Sequence, residues 1–371
     1  MYLGAPLFLT LHRIYPRLFL WAPLTGLLIM CLSLGLSSLS TTVPHLILTQ
    51  GILYSIGGGI CYFPCIIYTD QWFVRKKGLA YGVMWSGSGL GGLTIPLLLQ
   101  WLLGQYGFRT TLRVWAVTLF SLTAPLVYFI RPRIPPARKG RISKSSFTSL
   151  WNPTFLFYQV TSVVQALGFF LPGVYLPTFA RVVLGVGPFP AALTVMLVNV
   201  ALVFGCLAMG WLVDRYHPTT CIMISSAGAA VGTFLFWGFA TNLGVLYVFC
   251  IVYGMFAGSY TSTWTGVMKD VNARIEAAAQ RRSSTNDQEG TSHADGGSTF
   301  DPIVVFGFLA AGRGVGNMAS GPLSEAMIKD LAWQGQAGGA YGSGYGTLIA
   351  FTGATAAVGG ATFLCRRIGW M

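Results

Sequence analysis

Residues 51–107 read GILYSIGGGICYFPCIIYTDQWFVRKKGLAYGVMWSGSGLGGLTIPLLLQWLLGQYG. Two long apolar runs lie on either side of a short turn that carries Arg75, Lys76 and Lys77. A helix of about 20 apolar residues spans the hydrocarbon core of a bilayer, and each run is long enough. Lys and Arg concentrate in short cytoplasmic loops, and small residues allow helices to pack closely. The stretch therefore predicts two closely packed membrane helices joined by a cytoplasmic turn.

The composition of the whole chain agrees with a membrane protein. Hydrophobic residues make up 54% of the 371 residues and charged residues only 9%, and the mean hydropathy is +0.63. A soluble domain carries about 25% charged residues. The net charge of +13 does not indicate nucleic-acid binding, because the basic residues form short clusters between apolar spans. The composition predicts an all-α polytopic membrane protein.

Ten apolar segments are long enough to be full membrane spans, and residues 1–11 form an eleventh, shorter run that predicts only half a helix. The ten segments lie near 18–38, 44–68, 78–104, 110–130, 152–180, 188–212, 219–240, 243–268, 302–327 and 343–365. Basic clusters fall in alternate connections along this series, from Arg13 and Arg17 to Arg366 and Arg367. This alternation predicts that the C-terminus is cytoplasmic. The plasma membrane is the default location, with a vacuolar or other internal membrane as the alternative.

Two long connections suggest how the chain is divided. Residues 131–150 are basic and rich in Pro, Ser and Lys, which predicts a cytoplasmic linker between a bundle at 1–130 and a second bundle at 151–371. Residues 270–301 are polar and poor in aromatic residues, which predicts a disordered cytoplasmic loop after a short helical start. The seven cysteines show no metal-ligand spacing and are predicted to be free thiols.

Several motifs resemble one transporter family in order and spacing. WFVRKKGLAYGVMWSGSGLGG at 72–92 and YGFRTTLRVWA at 106–116 resemble the fourth to sixth helices of monocarboxylate-porter-like members of the major facilitator superfamily. VVQALGFFLPGVYLPTFA, YGMFAGSYTSTW and AGRGVGNMASGPLSE resemble the seventh, tenth and eleventh helices of its fungal branch. GWLVDRY at 210–216 resembles the turn that facilitators carry after their second and eighth helices.

The resemblance implies a major facilitator fold of two bundles with the substrate near the midplane. The ten spans then correspond to helices three to twelve of a twelve-helix transporter, and the N-terminal bundle lacks the first helix and most of the second. The lysine of the first helix in animal members is absent, as is their Asp/Arg pair in the eighth helix, because NVALVFGCLAMG at 199–210 has no charge. The family resemblance therefore does not imply proton-coupled lactate transport for this chain. We expect an incorrectly assigned start codon, since Met1 falls inside a span.

Arg313 is the leading candidate for substrate binding. It lies about ten residues into an apolar span, beside Gly312 and Gly314, where a charge is costly unless it faces a cavity or a partner. It would receive an anionic solute, or it would tether helices through a carbonyl or Glu325. Polar residues of other spans that could orient a solute, or could only bond helices together, are Asn317, Gln165, Tyr175 and Asn199.

A gating element is implied by the family resemblance at the two turns. In the family, the acid corresponding to Asp214 docks against a neighbouring helix terminus, and Arg215 and the basic turn with Arg75 belong to the same element. Three prolines inside spans are expected to kink or break their helices: Pro96, Pro172 and Pro177.

No enzyme constellation, cofactor motif, metal site or ATP-binding loop appears in the sequence. The first function hypothesis is a secondary active transporter of small organic solutes, monocarboxylate-like anions in particular. It would work by alternating access as a gradient-driven symporter, with the proton as the candidate coupling ion. The alternatives are a transport-incompetent facilitator that acts as a sensor or scaffold, and an exporter of a secondary metabolite.

Overall fold

The structure, a computed structural model, describes residues 1–134, 152–288, 302–329, 331 and 333–370. These residues form helices and connections without a β-strand. The α-helices, in chain order, are α1 Ala5–Ile14, α2 Ala22–Ser37, α3 Val43–Leu46, α4 Tyr54–Trp72, α5 Lys77–Val127, α6 Pro153–Phe169, α7 Leu171–Val182, α8 Pro188–Val213, α9 Pro218–Val231, α10 Leu243–Ala257, α11 Trp264–Gln288, α12 Ile303–Lys329, α13 Gly346–Gly359 and α14 Ala361–Arg367.

The predicted all-α membrane architecture is confirmed. Within the described residues, eight helices are long and apolar enough to cross a membrane, by length and composition. One of them, α5, has 51 residues and contains non-helical backbone at Gly107, which separates the two spans expected at 78–104 and 110–130. Helix α2 is a shorter apolar helix, and α1 has ten residues, as expected for the N-terminal half-helix.

Residue contacts divide the chain into two compact units. The first contains the described residues of Met1–Arg75 and Thr94–Ile142, and the second those of Lys76–Leu93 and Ser143–Met371. The start of α5 therefore belongs to the second unit. The predicted basic linker falls almost entirely at 135–151, outside the described residues, and the division into bundles at 1–130 and 151–371 stays a prediction.

Two membrane spans of the second unit are interrupted. Helix α6 ends at Phe169, and α7 begins at Leu171 with a proline in its first turn; Pro172 lacks the N–H that would continue the helix. Pro96 and Pro177, in contrast, lie inside α5 and α7. Between α10 and α11 the chain forms a 3₁₀ helix at Gly258–Thr263, a tighter winding that is common at hinges.

Helix α11 continues to Gln288, beyond the point where the sequence predicted a loop. Asn272 donates a hydrogen bond to Glu276 at 2.8 Å, and Arg274 donates to Asp270 at 3.2 Å. Side chains four residues apart share one helix face and stabilise the helix in this way. The remainder of the predicted loop, 289–301, lies outside the described residues.

Glycines bring the start of α5 against α8. A Cβ atom at Gly82 would stand 2.5 Å from the Cys206 carbonyl oxygen, and one at Gly78 would stand 2.5 Å from the Gly210 carbonyl oxygen. No side chain fits in that space, because both contacts are to backbone. This part of α5 packs backbone to backbone, as small residues permit in membrane helices.

The crossing predicts opposite effects for two Gly→Ala substitutions in α5. G82A places a methyl group against the α8 backbone and should lower the free energy of unfolding by about 1–3 kcal/mol. Gly87 has open space around its Cβ position, so G87A should leave stability unchanged or raise it by up to about 1 kcal/mol through helix propensity. Thermal unfolding of the purified protein in detergent measures both. Equal stability of the two variants would contradict the crossing.

Candidate functional site

The guanidinium of Arg313 is buried in the middle of α12. The side chain is 2% exposed, and its Nη1 atom donates a hydrogen bond to Oε1 of Gln165 at 3.0 Å. Gln165 lies on α6 and is 3% exposed. The structure thus brings together two of the residues that the sequence proposed for substrate binding, although they are 148 positions apart.

Aromatic rings cover the guanidinium. Its Cζ atom lies 4.2 Å from the ring centroid of Phe169 and 6.0 Å from that of Trp264. Phe169 is the last residue of α6 and Trp264 is the first residue of α11, so both rings stand at helix interruptions. Such contacts stabilise a cation through the ring quadrupole by about 0.5–2 kcal/mol.

The surroundings of Arg313 contain a further donor that is shielded from solvent. Trp264 is 1% exposed, and its indole Nε1 has no hydrogen-bond partner among the described residues. Asn317 lies one turn after Arg313 on the same face of α12, and its Oδ1 likewise has no partner within the described chain. An indole N–H donates only, as does a guanidinium. The Trp264 ring centroid lies 6.0 Å from the Arg313 Cζ atom, and two donors in one cluster suit a ligand with acceptor oxygens.

The other two proposed substrate-binding residues lie elsewhere. The Tyr175 hydroxyl makes a hydrogen bond of 3.0 Å with the Ser324 hydroxyl, and Ser324 is three turns beyond Arg313 on α12. Asn199 donates from Nδ2 to the Val195 carbonyl at 2.9 Å, and a Cβ at Gly92 would collide with its side chain. In this structure, neither residue joins the Arg313 cluster through a hydrogen bond.

Asp214 docks against a helix terminus, as the family resemblance implied. Its carboxylate accepts hydrogen bonds from the backbone N–H groups of Gly78 at 2.8 Å and Leu79 at 2.9 Å, and from Lys269 Nζ at 3.3 Å. The first N–H groups of a helix have no partner inside the helix. Asp214 therefore caps α5 from a distant part of the chain, and its negative charge also favours the positive end of the helix dipole.

The remaining gating candidates are at the surface. The Arg215 guanidinium lies 4.0 Å from the ring centroid of Trp211, and Arg75 lies exposed in the bend before α5. The roles of all three residues in gating stay predictions.

Sequence reasoning missed Phe169 and Trp264 as parts of the Arg313 cluster. Both are in motifs that the resemblance singled out, FFLPG and TSTW. The signal for Phe169 was the nearby proline, and the signal for Trp264 was the run of hydroxyl residues before it. Both kinds of sequence interrupt helices.

Comparisons with known proteins identify relatives for most of the chain. A family model described as Major Facilitator Superfamily matches residues 7–279. The chain is 30% identical over 257 residues to the aspyridones efflux protein apdF of Emericella nidulans, covering 69% of this chain and 50% of that protein. It is 27% identical over 269 residues to monocarboxylate transporter 12 of Xenopus laevis, covering 64% and 58%.

A solved structure agrees at the level of the fold. The crystal structure of the human organic anion transporter MFSD10 (TETRAN) superposes with a TM-score of 0.63 at 14% identity, covering 98% of this chain and 79% of that chain. The chain spans about half the length of the curated relatives it matches.

The docking of Asp214 predicts a large difference between two substitutions. D214A leaves two N–H groups of α5 without their acceptor and should lower the free energy of unfolding by about 1–2 kcal/mol. K269A removes an ion pair from a lysine that is 46% exposed, and should cost less than about 0.5 kcal/mol. Thermal unfolding at pH 7 measures both; a K269A effect as large as that of D214A would contradict this assignment.

Proposed function

Because the chain belongs to the major facilitator superfamily, we propose that it forms the membrane part of a secondary transporter that moves small organic anions by alternating access. The observation that carries this proposal is the buried Arg313 cluster of α6, α11 and α12. The driving force is an ion or solute gradient, with proton coupling as the specific form that we propose.

The energetic cost of burying Arg313 supports an anionic solute. A charge at the centre of a membrane helix costs about 2.5–3.5 kcal/mol on insertion scales. Gln165 accepts a hydrogen bond from one N–H group of Arg313, and the rings of Phe169 and Trp264 lie near the guanidinium. A carboxylate is opposite in charge to a guanidinium and accepts two parallel hydrogen bonds from it.

The aromatic surroundings favour a solute that carries a ring. Trp264 makes edge-to-face contacts with Trp85 at 6.4 Å and with Phe306 at 5.4 Å. Aromatic pairs prefer edge-to-face or offset contacts, and a planar ring of a solute can make the same kind of contact with Trp264. An organic acid with an aromatic or conjugated ring would thus place its carboxylate on Arg313 and its ring among these side chains.

Export of a ring-bearing metabolite is the direction that the relatives favour. The aspyridones efflux protein, whose name describes export, shares 30% identity with this chain. Uptake of a small monocarboxylate is the second candidate, supported by the similarity to monocarboxylate transporter 12. A sensor or scaffold without transport is the third, and it requires that no solute crosses the membrane.

The basic clusters support an orientation in the membrane. We propose a cytoplasmic C-terminus, since Arg366 and Arg367 end the series of basic connections. The plasma membrane is the proposed location, as export to the medium requires.

The proposal predicts that transport depends on the charge and shape of Arg313. In proteoliposomes, the flux above that of protein-free liposomes should be larger for labelled benzoate than for labelled lactate, and neutral benzamide should show no protein-dependent flux. R313Q should abolish benzoate flux while the protein remains folded in the membrane. R313K should retain only a small part of the wild-type benzoate flux, because an ammonium does not offer the planar fork of donors that a guanidinium has.

R181Q is the matched control for the loss of one positive charge. Arg181 lies exposed near the end of α7, and its replacement should leave benzoate flux unchanged. Normal benzoate flux by R313Q would remove Arg313 from the site. Absence of flux for every acid with the full chain, with thermal stability unaffected by the acids, would favour the sensor or scaffold function.

A further inference from the structure

A chain of hydrogen bonds joins four helices of the second unit at one end, away from Arg313. Asp270 of α11 is its centre, with a side chain that is 13% exposed. Its carboxylate accepts hydrogen bonds from the Tyr158 hydroxyl of α6 at 3.1 Å and from Arg274 Nε at 3.2 Å. His217 Nε2, just before α9, lies 3.5 Å from Asp270 Oδ1.

The other nitrogen of His217 caps helix α9. Nδ1 accepts a hydrogen bond from the Thr219 backbone N–H at 3.3 Å, and the Thr219 hydroxyl lies 2.9 Å from the same atom. Arg366 Nη1 of α14 donates to this hydroxyl oxygen at 3.2 Å. The bonds therefore run from α14 through Thr219 and His217 to Asp270, and from there to α6.

The geometry fixes the protonation state of the imidazole. A backbone N–H only donates, so Nδ1 must be the unprotonated nitrogen. The proton of the neutral ring is then on Nε2, where it points at the Asp270 carboxylate. His217 is thus neutral and uses both nitrogens.

We propose that His217 is a proton-binding site whose occupancy controls how firmly α6, α9, α11 and α14 are held together at this end. A proton can only enter at Nδ1. Protonation of Nδ1 removes the lone pair that accepts the hydrogen bond from the Thr219 backbone N–H. It also places a positive charge at the N-terminus of α9, where the helix dipole disfavours cations. The bond to Asp270 survives, and the new Nδ1–H can donate to the Thr219 hydroxyl oxygen, which also accepts from Arg366. The Thr219 backbone N–H, in contrast, loses its acceptor, so the cap at the start of α9 is lost.

The charges that face His217 determine when the proton binds. Burial lowers the pKa of His217 below the ordinary value of 6.5, and Arg366 and Arg274 lower it further, while Asp270 opposes them. The Tyr158 hydroxyl of α6 faces the same carboxylate as a neutral donor. These groups come from α6, α11 and α14, the three helices whose side chains meet His217 and the start of α9.

The lowered pKa of His217 determines how the stability of the bonded arrangement changes with pH. A ring released from its partners regains the ordinary pKa, so the released arrangement binds protons more tightly than the bonded one. The bonded arrangement is therefore fully favoured above pH 6.5 and is progressively lost as the pH falls through the lowered pKa. Acidification on the side of the membrane where His217 lies would therefore loosen the ends of these four helices.

Histidine titration of the full chain in detergent tests the site. Nitrogen-15 spectra of the imidazoles, with His217 assigned by comparison with H217N, should show the Nε2–H form at pH 7.5 and a midpoint below pH 6.5. R366Q should move the midpoint upward, because it removes a positive charge. R367Q makes the same change in net charge at the next residue and should leave the midpoint close to the wild-type value. An Nδ1–H form, a midpoint at or above 6.5, or equal shifts in the two Arg variants would overturn the proposal.

Thermal unfolding provides the second readout. Asparagine caps helices well without titrating in this range, so H217N should stay folded and should remove most of the decrease in melting temperature that the wild type shows between pH 7.5 and pH 5.5. An equal decrease in H217N and the wild type would show that another group binds the proton, and would overturn the assignment to His217.

Discussion

The burial of one guanidinium depends on side chains from three helices. Arg313 is buried in α12, and its partners come from the end of α6 and the start of α11. Both aromatic partners stand where a helix is interrupted, because Phe169 is the last residue of α6 and Trp264 follows the 3₁₀ segment Gly258–Thr263. An interruption frees backbone groups that must be satisfied inside the protein, since lipid offers no hydrogen bonds. The hydroxyl-rich stretch at 259–263 supplies some of these bonds, such as Ser259 to the Phe256 carbonyl at 2.9 Å.

The depth of Arg313 could be predicted from the sequence, whereas its partners could not. Counting residues along an apolar span places a charge at the membrane centre, and the cost of that charge makes it a functional candidate. The bond to Gln165 joins positions 148 residues apart, and only helix packing decides which face of α6 meets α12. Asn199 shows the same limit: its polar side chain suggested a solute contact, but in the structure it packs against the glycines of α5.

His217 shows a different limit of sequence reasoning. In the sequence it is a histidine at the edge of a span, beside the charged turn with Asp214 and Arg215, and such residues are usually solvated. The signal was its position directly before Pro218 and Thr219, which is the position of a helix N-cap. Even so, the partner Asp270 lies 53 residues further along the chain, and its pairing depends on how the end of α11 meets the start of α9.

Helices α6 and α11 connect the Arg313 cluster with the His217 chain of bonds. On α6, Tyr158 and Gln165 are seven residues apart, which is about 10 Å along one face. On α11, Trp264 and Asp270 are six residues apart, a similar distance. The hydrogen bond from Tyr158 to Asp270 therefore fixes the relative position of the two helices that also carry the Arg313 partners. A change at this bond alters the alignment of α6 with α11, and that alignment determines whether Gln165 and Trp264 can face Arg313 at the same time.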